Sequence, residues 1–100
     1  MNLILFAIIL SMPTFTDKVL NMVKKIPKGK VLSYAEIAKK AGSPGAYRAV
    51  GSILKKNYNK DIPCHRVIKS NGDCGQYNRG KEEKVRKLRE EGVDNVIITS

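Results

Sequence analysis

The sequence predicts a small α+β domain that is mostly helical, and three observations support this fold class. The chain of 100 residues is long enough for one domain with a modest core. Apolar residues recur at helical spacing in several segments, whereas only two short stretches indicate extended backbone. Neither internal repeats nor low-complexity segments interrupt the pattern. We therefore predict one domain over residues 15–100, preceded by an apolar segment, residues 1–14, that stays unassigned.

Three helices are predicted in the first half of the domain. The first begins at Thr16 with Asp17 and ends before Pro27, because apolar residues recur at helical spacing between them. A capping-box pattern, Ser33 to Glu36, opens a short second helix with Ile37 and Ala38 inward, and the run 42–45 breaks it. The third helix runs from about residue 46 to residue 56. The second helix, the short glycine-containing turn after it and the third helix together have the pattern of a helix-turn-helix motif.

The third helix has a face of small residues around one long cation. The face consists of Ala46, Arg48, Ala49, Gly51 and Ser52. Small side chains allow the backbone to approach another surface closely, and that surface could be DNA. For Gly51 and Ala49, tight packing against another helix explains the pattern equally well.

The second half of the domain is predicted as a buried extended stretch, two loops and a charged helix. The stretch covers residues 62–69, and Asn71-Gly72 lies in the tight turn that follows it. A second loop, residues 75–80, leads to a helix over residues 81–91 with Val85 and Leu88 inward, and Gly92 ends that helix. Residues 96–98 form a last extended segment.

The composition narrows the classes of partner. Nineteen Lys and Arg against nine Asp and Glu give a net charge of +10, which favours a polyanionic partner, nucleic acid first. A generally basic proteome would also produce this excess. Few aromatic residues argue against a base-stacking platform. Two cysteines and one histidine are too few for a zinc site. The apolar run 3–10 is too short to cross a bilayer, so we expect a cytoplasmic protein without a membrane partner.

The run Pro63-Cys64-His65-Arg66-Val67-Ile68 is the strongest chemical signal. A thiol beside an imidazole is a candidate nucleophile with a candidate base. Adjacent side chains on a regular strand point to opposite faces, so the backbone must kink here or a water must bridge the two groups. The alternative is a small buried thiol next to an unrelated imidazole. A disulfide between Cys64 and Cys74 and two reduced thiols are both compatible with the sequence.

Several linked motifs make the chain similar to a known family. They are Phe15-Thr16, the Ile26–Gly29 stop, Val31–Tyr34, Arg48–Gly51, Pro63–Ile68, Gly75–Tyr77 and Glu91-Gly92. In order and approximate spacing they resemble the active-site domain of the O(6)-alkylguanine-DNA alkyltransferases. The likeness covers about residues 15–92, and that family's upstream domain is not seen in this sequence.

The resemblance implies a repair reaction. Such proteins rotate an alkylated guanine out of duplex DNA and move its alkyl group from oxygen to a cysteine sulfur, once per molecule. By this likeness Cys64 is the acceptor, His65 acts as its base through a water, and Glu91 orients the imidazole. Tyr34 donates a proton to a guanine ring nitrogen. O(4)-alkylthymine is a further candidate substrate. No metal or organic cofactor is implied, and we expect a monomer.

The resemblance also assigns binding residues. Arg48 fills the gap left by the rotated base, and the small face of the third helix lies in the minor groove of double-stranded DNA. The residues that the resemblance assigns to the pocket for the rotated base are Asn57, Gly75, Gln76, Tyr77 and Asn78. A long cation at Arg79 would narrow this pocket and disfavour bulky alkyl groups. Cys74, on the same loop, is either a structural thiol or a second reactive one.

Two other functions stay open. Alkyltransferase-like proteins bind alkylated DNA without transferring anything and typically carry tryptophan between the Pro and His residues, where this chain has Cys64. A plain helix-turn-helix regulator would prefer one DNA sequence and show no preference for a lesion.

Overall fold

Four α-helices and one pair of short parallel strands make up the described part of the computed structural model, residues 3–4, 13–75 and 77–93. In chain order they are α1 (Phe15–Lys24), β1 (Leu32–Ser33), α2 (Tyr34–Lys40), α3 (Tyr47–Lys55), a 3-10 turn (Cys64–Arg66), β2 (Val67–Ile68) and α4 (Lys81–Glu90). The predicted α+β class, mostly helical, is confirmed. The predicted extended segment 96–98 and most of residues 1–14 lie outside the described residues.

Helix α1 begins at Phe15, one residue before the predicted start at Thr16. Thr14 is the cap: its hydroxyl accepts from the Asp17 amide at 3.1 Å, and the Asp17 carboxylate accepts from the Thr14 amide at 3.0 Å. An aspartate takes the place of the usual glutamate in this reciprocal box. The helix ends at Lys24, before the Ile26-Pro27 pair, whose restricted backbone disfavours helix.

Helices α2 and α3 confirm the predicted helix, turn, helix arrangement. Ser33 caps α2, and its reciprocal bonds with Glu36 measure 3.0 and 3.2 Å, as the capping-box pattern predicted. The turn between the helices contains Gly42 and Gly45 at φ of 89° and 92°, a left-handed conformation that glycine adopts without strain. Helix α3 buries Val50 and Leu54 and leaves its opposite face outward.

The stretch around the thiol is not extended throughout, which corrects the prediction for residues 62–69. The backbone folds into the 3-10 turn at Cys64–Arg66, where the Arg66 amide donates to the Pro63 carbonyl at 3.0 Å. Only Val67 and Ile68 are extended, and they pair in parallel with Leu32 and Ser33. A turn at the thiol is the backbone kink that the Cys-His pair requires. Because β1 leads directly into α2, this pairing fixes the thiol turn beside the start of α2.

The last part of the described chain follows the predicted order of turn, loop and helix. The Lys69 amide donates to the Asp73 carbonyl at 2.8 Å across the Asn71-Gly72 turn. Helix α4 buries Val85 and Leu88 as predicted and ends before Gly92, which has a φ of 89°. It also buries Lys84, which the sequence analysis did not predict.

The core lies between α1, α2, α3 and the thiol turn. Its buried residues are Val19, Val23, Ile26, Ile37, Ala38, Ala41, Val50, Leu54, Cys64 and Val67. The thiol is thus the one chemically reactive member of an otherwise apolar cluster. None of the helices in the described ranges combines the length and apolar character needed to cross a membrane.

Candidate active site

A cleft of about 820 Å³ opens between α2, α3, the thiol turn and the loops that follow β2. It brings together seven residues that the sequence analysis singled out, namely Tyr34, Arg48, Gly51, Ser52, Cys64, Tyr77 and Asn78. Three of the others, His65, Asn57 and Gly75, lie next to these in the thiol turn and the flanking loops. Ala46 is half-buried against the core, and Gln76 lies outside the described residues.

The Cys64 thiol lies at the floor of this cleft and is 7% exposed. The side-chain amide of Asn57 donates to its sulfur at 3.0 Å, so one sulfur lone pair is held in place. Burial raises the pKa of the thiol, and this effect is opposed by the Asn57 hydrogen bond and by the positive charges of Lys84 and Arg79. Because the pKa is raised, the resting group is a protonated thiol that must lose its proton when it attacks. Both described cysteines are free thiols.

His65, in the thiol turn, and Glu91, after the end of α4, form the second element of the site. The distance from His65 Nε2 to Glu91 Oε1 is 3.0 Å, but a hydrogen on Nε2 does not align with that oxygen as a hydrogen bond requires. The contact is therefore a close polar approach rather than an aligned hydrogen bond, and it becomes an ion pair only when His65 is protonated. Burial lowers the pKa of His65, which keeps the imidazole neutral and able to accept a proton.

Arg66 holds the Glu91 carboxylate, a role that the sequence analysis missed. Its Nε and Nη2 atoms donate to the two carboxylate oxygens at 3.0 and 2.6 Å, and Nη1 donates to the Ile26 carbonyl at 2.8 Å. Hydrogen bonds from Arg66, with a smaller contribution from His65, lower the pKa of Glu91 to about 2. The only signal in the sequence was the place of Arg66 beside His65, since its partner is 25 residues away.

Tyr34 forms one wall of the cleft, and its side chain also contacts the side chain of Lys84. The Lys84 ammonium donates to the Tyr34 hydroxyl at 3.3 Å and lies 5.5 Å from the ring centroid. Burial, with smaller contributions from Cys74, Cys64 and Asp73, raises the pKa of Tyr34 to about 12.

Gly75 allows the following loop to pack on the Tyr34 ring. A Cβ at this position would lie 3.1 Å from the ring and its oxygen, and the φ of +72° disfavours other residues as well.

The outward face of α3 is open, which argues against tight helix packing as the reason for its small residues. Ala49 is exposed, and a Cβ added at Gly51 would meet no described atom within 4 Å. Tight helix packing is therefore wrong as the reason for Gly51. Arg48 is also exposed, with its guanidinium 5.9 Å from the centroid of the Tyr47 ring. The face can approach a large partner closely.

The loop that closes the cleft is tied to the end of α3. The Asn78 side chain donates to the Asn57 carbonyl at 2.6 Å and to the Lys55 carbonyl at 3.2 Å. Arg79 donates instead to the Tyr58 carbonyl at 3.3 Å and is not among the residues that line the cleft, so the structure does not place it where it would narrow the pocket.

Cys74 is fully buried with its thiol 3.4 Å from the Gly75 carbonyl, the environment of a structural thiol. Across the described ranges, His, Cys, Asp and Glu side chains form no group of three that could hold a metal ion.

Residues 14–93 match the family described as 6-O-methylguanine DNA methyltransferase, DNA binding domain. The methylated-DNA--protein-cysteine methyltransferase of Methanothermobacter thermautotrophicus is 44% identical over 80 residues, which are 79% of this chain and 44% of that protein. The enzyme of the same name from Cricetulus griseus is 46% identical over 67% of this chain and 33% of its own length. The chain thus spans about half or less of these curated relatives.

Two solved structures have the same fold. Schizosaccharomyces pombe Atl1 in complex with damaged DNA containing O6-carboxymethylguanine superposes with a TM-score of 0.75 at 38% identity, over 83% of this chain and 80% of that one. Mycobacterium tuberculosis OGT in complex with DNA superposes with a TM-score of 0.74 at 39% identity, over 78% of this chain and 48% of that one.

Proposed function

This chain belongs to the 6-O-methylguanine DNA methyltransferase family, and on that premise we propose that it repairs alkylated guanine in duplex DNA by transferring the alkyl group to Cys64. The observation that carries the proposal is the position of the sulfur. It lines an open cleft and is held by Asn57, and the next residue of the same turn is a neutral imidazole whose Nε2 lies 3.0 Å from an ionised carboxylate.

The proposed transfer is a displacement at the alkyl carbon. The Cys64 sulfur forms a bond to that carbon while the bond from carbon to the guanine O6 breaks, and the electron pair of that bond stays with the base. His65 takes the thiol proton through one water, and Glu91 favours the resulting imidazolium. Tyr34 gives its hydroxyl proton to a guanine ring nitrogen, so the base leaves neutral. The thioether is stable, and each molecule reacts once.

DNA binding is proposed for the open face of α3. Its small residues would allow the helix backbone to approach the minor groove, and the exposed Arg48 guanidinium would enter the gap left by the rotated guanine. The charge of +10 supplies the attraction for phosphates. Several expectations from the sequence stay predictions. They are transfer of methyl or larger alkyl groups, O(4)-alkylthymine as a further substrate, a monomeric state, a cytoplasmic location and the domain boundary at residue 15.

One other function is favoured by a specific observation. The Atl1 structure, in complex with damaged DNA, superposes on this chain with a TM-score of 0.75, against 0.74 for the OGT structure. A protein that binds alkylated DNA without transfer is therefore the second candidate. Cys64 argues against it, because a binding protein has no need of a nucleophile on the floor of the cleft.

The experiment that separates the two functions weighs the intact protein after incubation with a duplex that contains one O6-methylguanine. We expect the wild-type chain to gain one methyl group per molecule, and Cys64→Ala to gain none. Cys74→Ala is the matched control, since that thiol is buried away from the cleft, and it should still gain the group. Tight lesion binding with no change in mass would overturn the proposal in favour of the binding protein.

A further inference from the structure

Tyr47, the first residue of α3, is an exposed aromatic residue that the proposed mechanism does not use. It is 47% exposed, and Tyr58, at 65%, is the other aromatic residue with a largely exposed side chain in the described ranges. Single exposed tyrosines are common on protein surfaces, so exposure alone implies no function. The position of the ring distinguishes the two residues. Tyr47 lines the cleft together with Cys64, whereas Tyr58 is not among the residues that line it.

Two sides of α3 meet at Tyr47. Tyr47, Gly51 and Lys55 recur every four residues and therefore share one side of the helix, and all three line the cleft. Arg48 belongs to the outward face, which is proposed to approach DNA. A Cβ added at Gly51 would meet no described atom within 4 Å, so the space one turn after the ring is open. The Tyr47 ring therefore lies at the edge where the outward face of α3 meets the cleft.

The contact between Tyr47 and Arg48 indicates where the ring would lie on DNA. The Arg48 guanidinium is 5.9 Å from the centroid of the ring, so the ring lies close to the end of the arginine side chain. An exposed ring holds a cation only weakly, so the guanidinium can leave the ring at little cost. When it enters the gap left by the rotated guanine, a ring at this range is next to the nucleotides that border the gap. On the side of the cleft, that nucleotide is the rotated one.

We propose that Tyr47 is a DNA-contacting residue whose ring stacks on the rotated nucleotide at the entrance of the cleft, beside Arg48 in the gap. This proposal rests on the proposed function. The rotated base has to pass from the duplex on the outward face of α3 to Cys64 inside the cleft, and Tyr47 lies at the edge between them. A flat aromatic ring suits this position because every base has a π-face. Stacking on the ring replaces part of the stacking that the base loses when it leaves the duplex.

Binding measurements in the Cys64→Ala background test the contact, because no transfer follows binding there. Tyr47→Leu removes the ring and keeps an apolar side chain, and it should weaken binding to an O6-methylguanine duplex by about tenfold, within the range for loss of an aromatic–base stack. On an undamaged duplex of the same sequence the loss should be smaller, because extrusion of an undamaged, paired base costs more. Equal losses on the two duplexes would overturn the proposal.

Two control variants accompany this measurement. Tyr47→Phe keeps the ring and should bind like the parent protein, so a loss as large as in Tyr47→Leu would overturn the stacking contact. Tyr58→Leu removes the other exposed ring and keeps the backbone carbonyl that accepts from Arg79. It should leave binding unchanged, and a loss equal to that of Tyr47→Leu would count against a specific contact. Leucine is a good helix former, so a shifted start of α3 would not explain the loss in Tyr47→Leu.

A double variant separates a direct contact with DNA from an effect through Arg48. If the ring only held the guanidinium ready, Tyr47→Leu would have nothing to add once Arg48 is removed. A direct stack predicts that Tyr47→Leu still weakens binding to the lesion duplex by about fivefold or more in an Arg48→Ala protein. No added loss would overturn the direct contact.

Single-turnover methyl transfer gives a second readout, with Cys64 in place. Tyr47→Leu should slow transfer from the duplex more than transfer from free O6-methylguanine base, because a free base has no stacking in a duplex to replace. Equal slowing of both reactions would contradict the proposal. A wild-type chain that takes no methyl group would refute the proposed function, and the role of Tyr47 with it. Transfer by the wild type, with Tyr47→Leu as fast as Tyr58→Leu, would refute only the role of Tyr47.

Discussion

Two lysine–tyrosine pairs on α4 have nearly the same geometry and different surroundings. Lys84 and Lys87 each lie 3.3 Å from a tyrosine hydroxyl, and their distances to the ring centroids are 5.5 and 5.7 Å. Lys84 is fully buried, and its pKa is lowered to about 8, whereas Lys87 is half-buried. The distance of the contact alone therefore does not determine the electrostatic properties of a lysine–tyrosine pair. Exclusion of water from the Lys84 pair strengthens the electrostatic interactions of its charge.

Two arginine–glutamate pairs repeat this contrast. Arg66 and Glu91 are 16% and 12% exposed in their side chains, and the arginine is also bonded to the Ile26 carbonyl. Arg86, on the outer side of α4, contacts Glu83 and Glu90 and is 53% exposed. The first pair connects the thiol turn with the end of α4, and the second connects residues of one helix. We expect only the first to matter for the site.

The largest expected effect follows from breaking the half-buried pair of Arg66 and Glu91. Arg66→Met should lower the free energy of unfolding by about 3 kcal/mol, because Glu91 would keep its charge and lose its main partner. Arg86→Met, the matched change in water, should leave the unfolding midpoint within experimental error. Denaturant unfolding of the two variants measures both. Equal losses would show that burial does not distinguish the two pairs.

A somewhat smaller effect of opposite sign is expected from Lys84→Met. Removing a buried ammonium while keeping the volume should raise the free energy of unfolding by about 1–3 kcal/mol, because the desolvation cost disappears. Lys87→Met should change stability by less than about 0.5 kcal/mol. A clear loss of stability in Lys84→Met would mean that the lysine is held mainly for structure.

The smallest expected effect is the pH dependence of the difference in unfolding free energy between Lys84→Met and the wild type. The pKa of Lys84 is about 8 in the folded protein and 10.5 in its ordinary state, so between these values the unfolded chain binds more protons. The cost of burying the charge is complete below about pH 8 and is relieved as the pH rises. The stability advantage of Lys84→Met over the wild type should therefore shrink between about pH 8 and pH 10.5.

Local signals explain what could be predicted of the fold. The Ser33 capping box, the limits of α3 and the end of α4 before Gly92 each depend on neighbours within four residues, and they are as the sequence indicated. The start of α1 was misplaced by one residue because Asp17 was taken as part of a helix start rather than as the partner of Thr14. The sequence predicted a buried turn at the active site and a kink at the Cys-His pair, but the 3-10 form of that turn lay within a run that was read as extended, because an apolar run between proline and a turn is typical of a strand.

The sequence by itself determined the family likeness, the thiol beside its imidazole, the small face around Arg48 and the excess of positive charge. Only the tertiary structure decided that Lys84 is buried beneath Tyr34 and that Arg66 holds Glu91. Lys84 and Tyr34 are 50 residues apart in the chain, and Arg66 and Glu91 are 25 residues apart. The residues next to a lysine in a charged helix do not show whether that lysine faces water or the core. The residue type fixes the charge that such a group can carry, but the free energy of that charge depends on how much water the rest of the fold excludes from it.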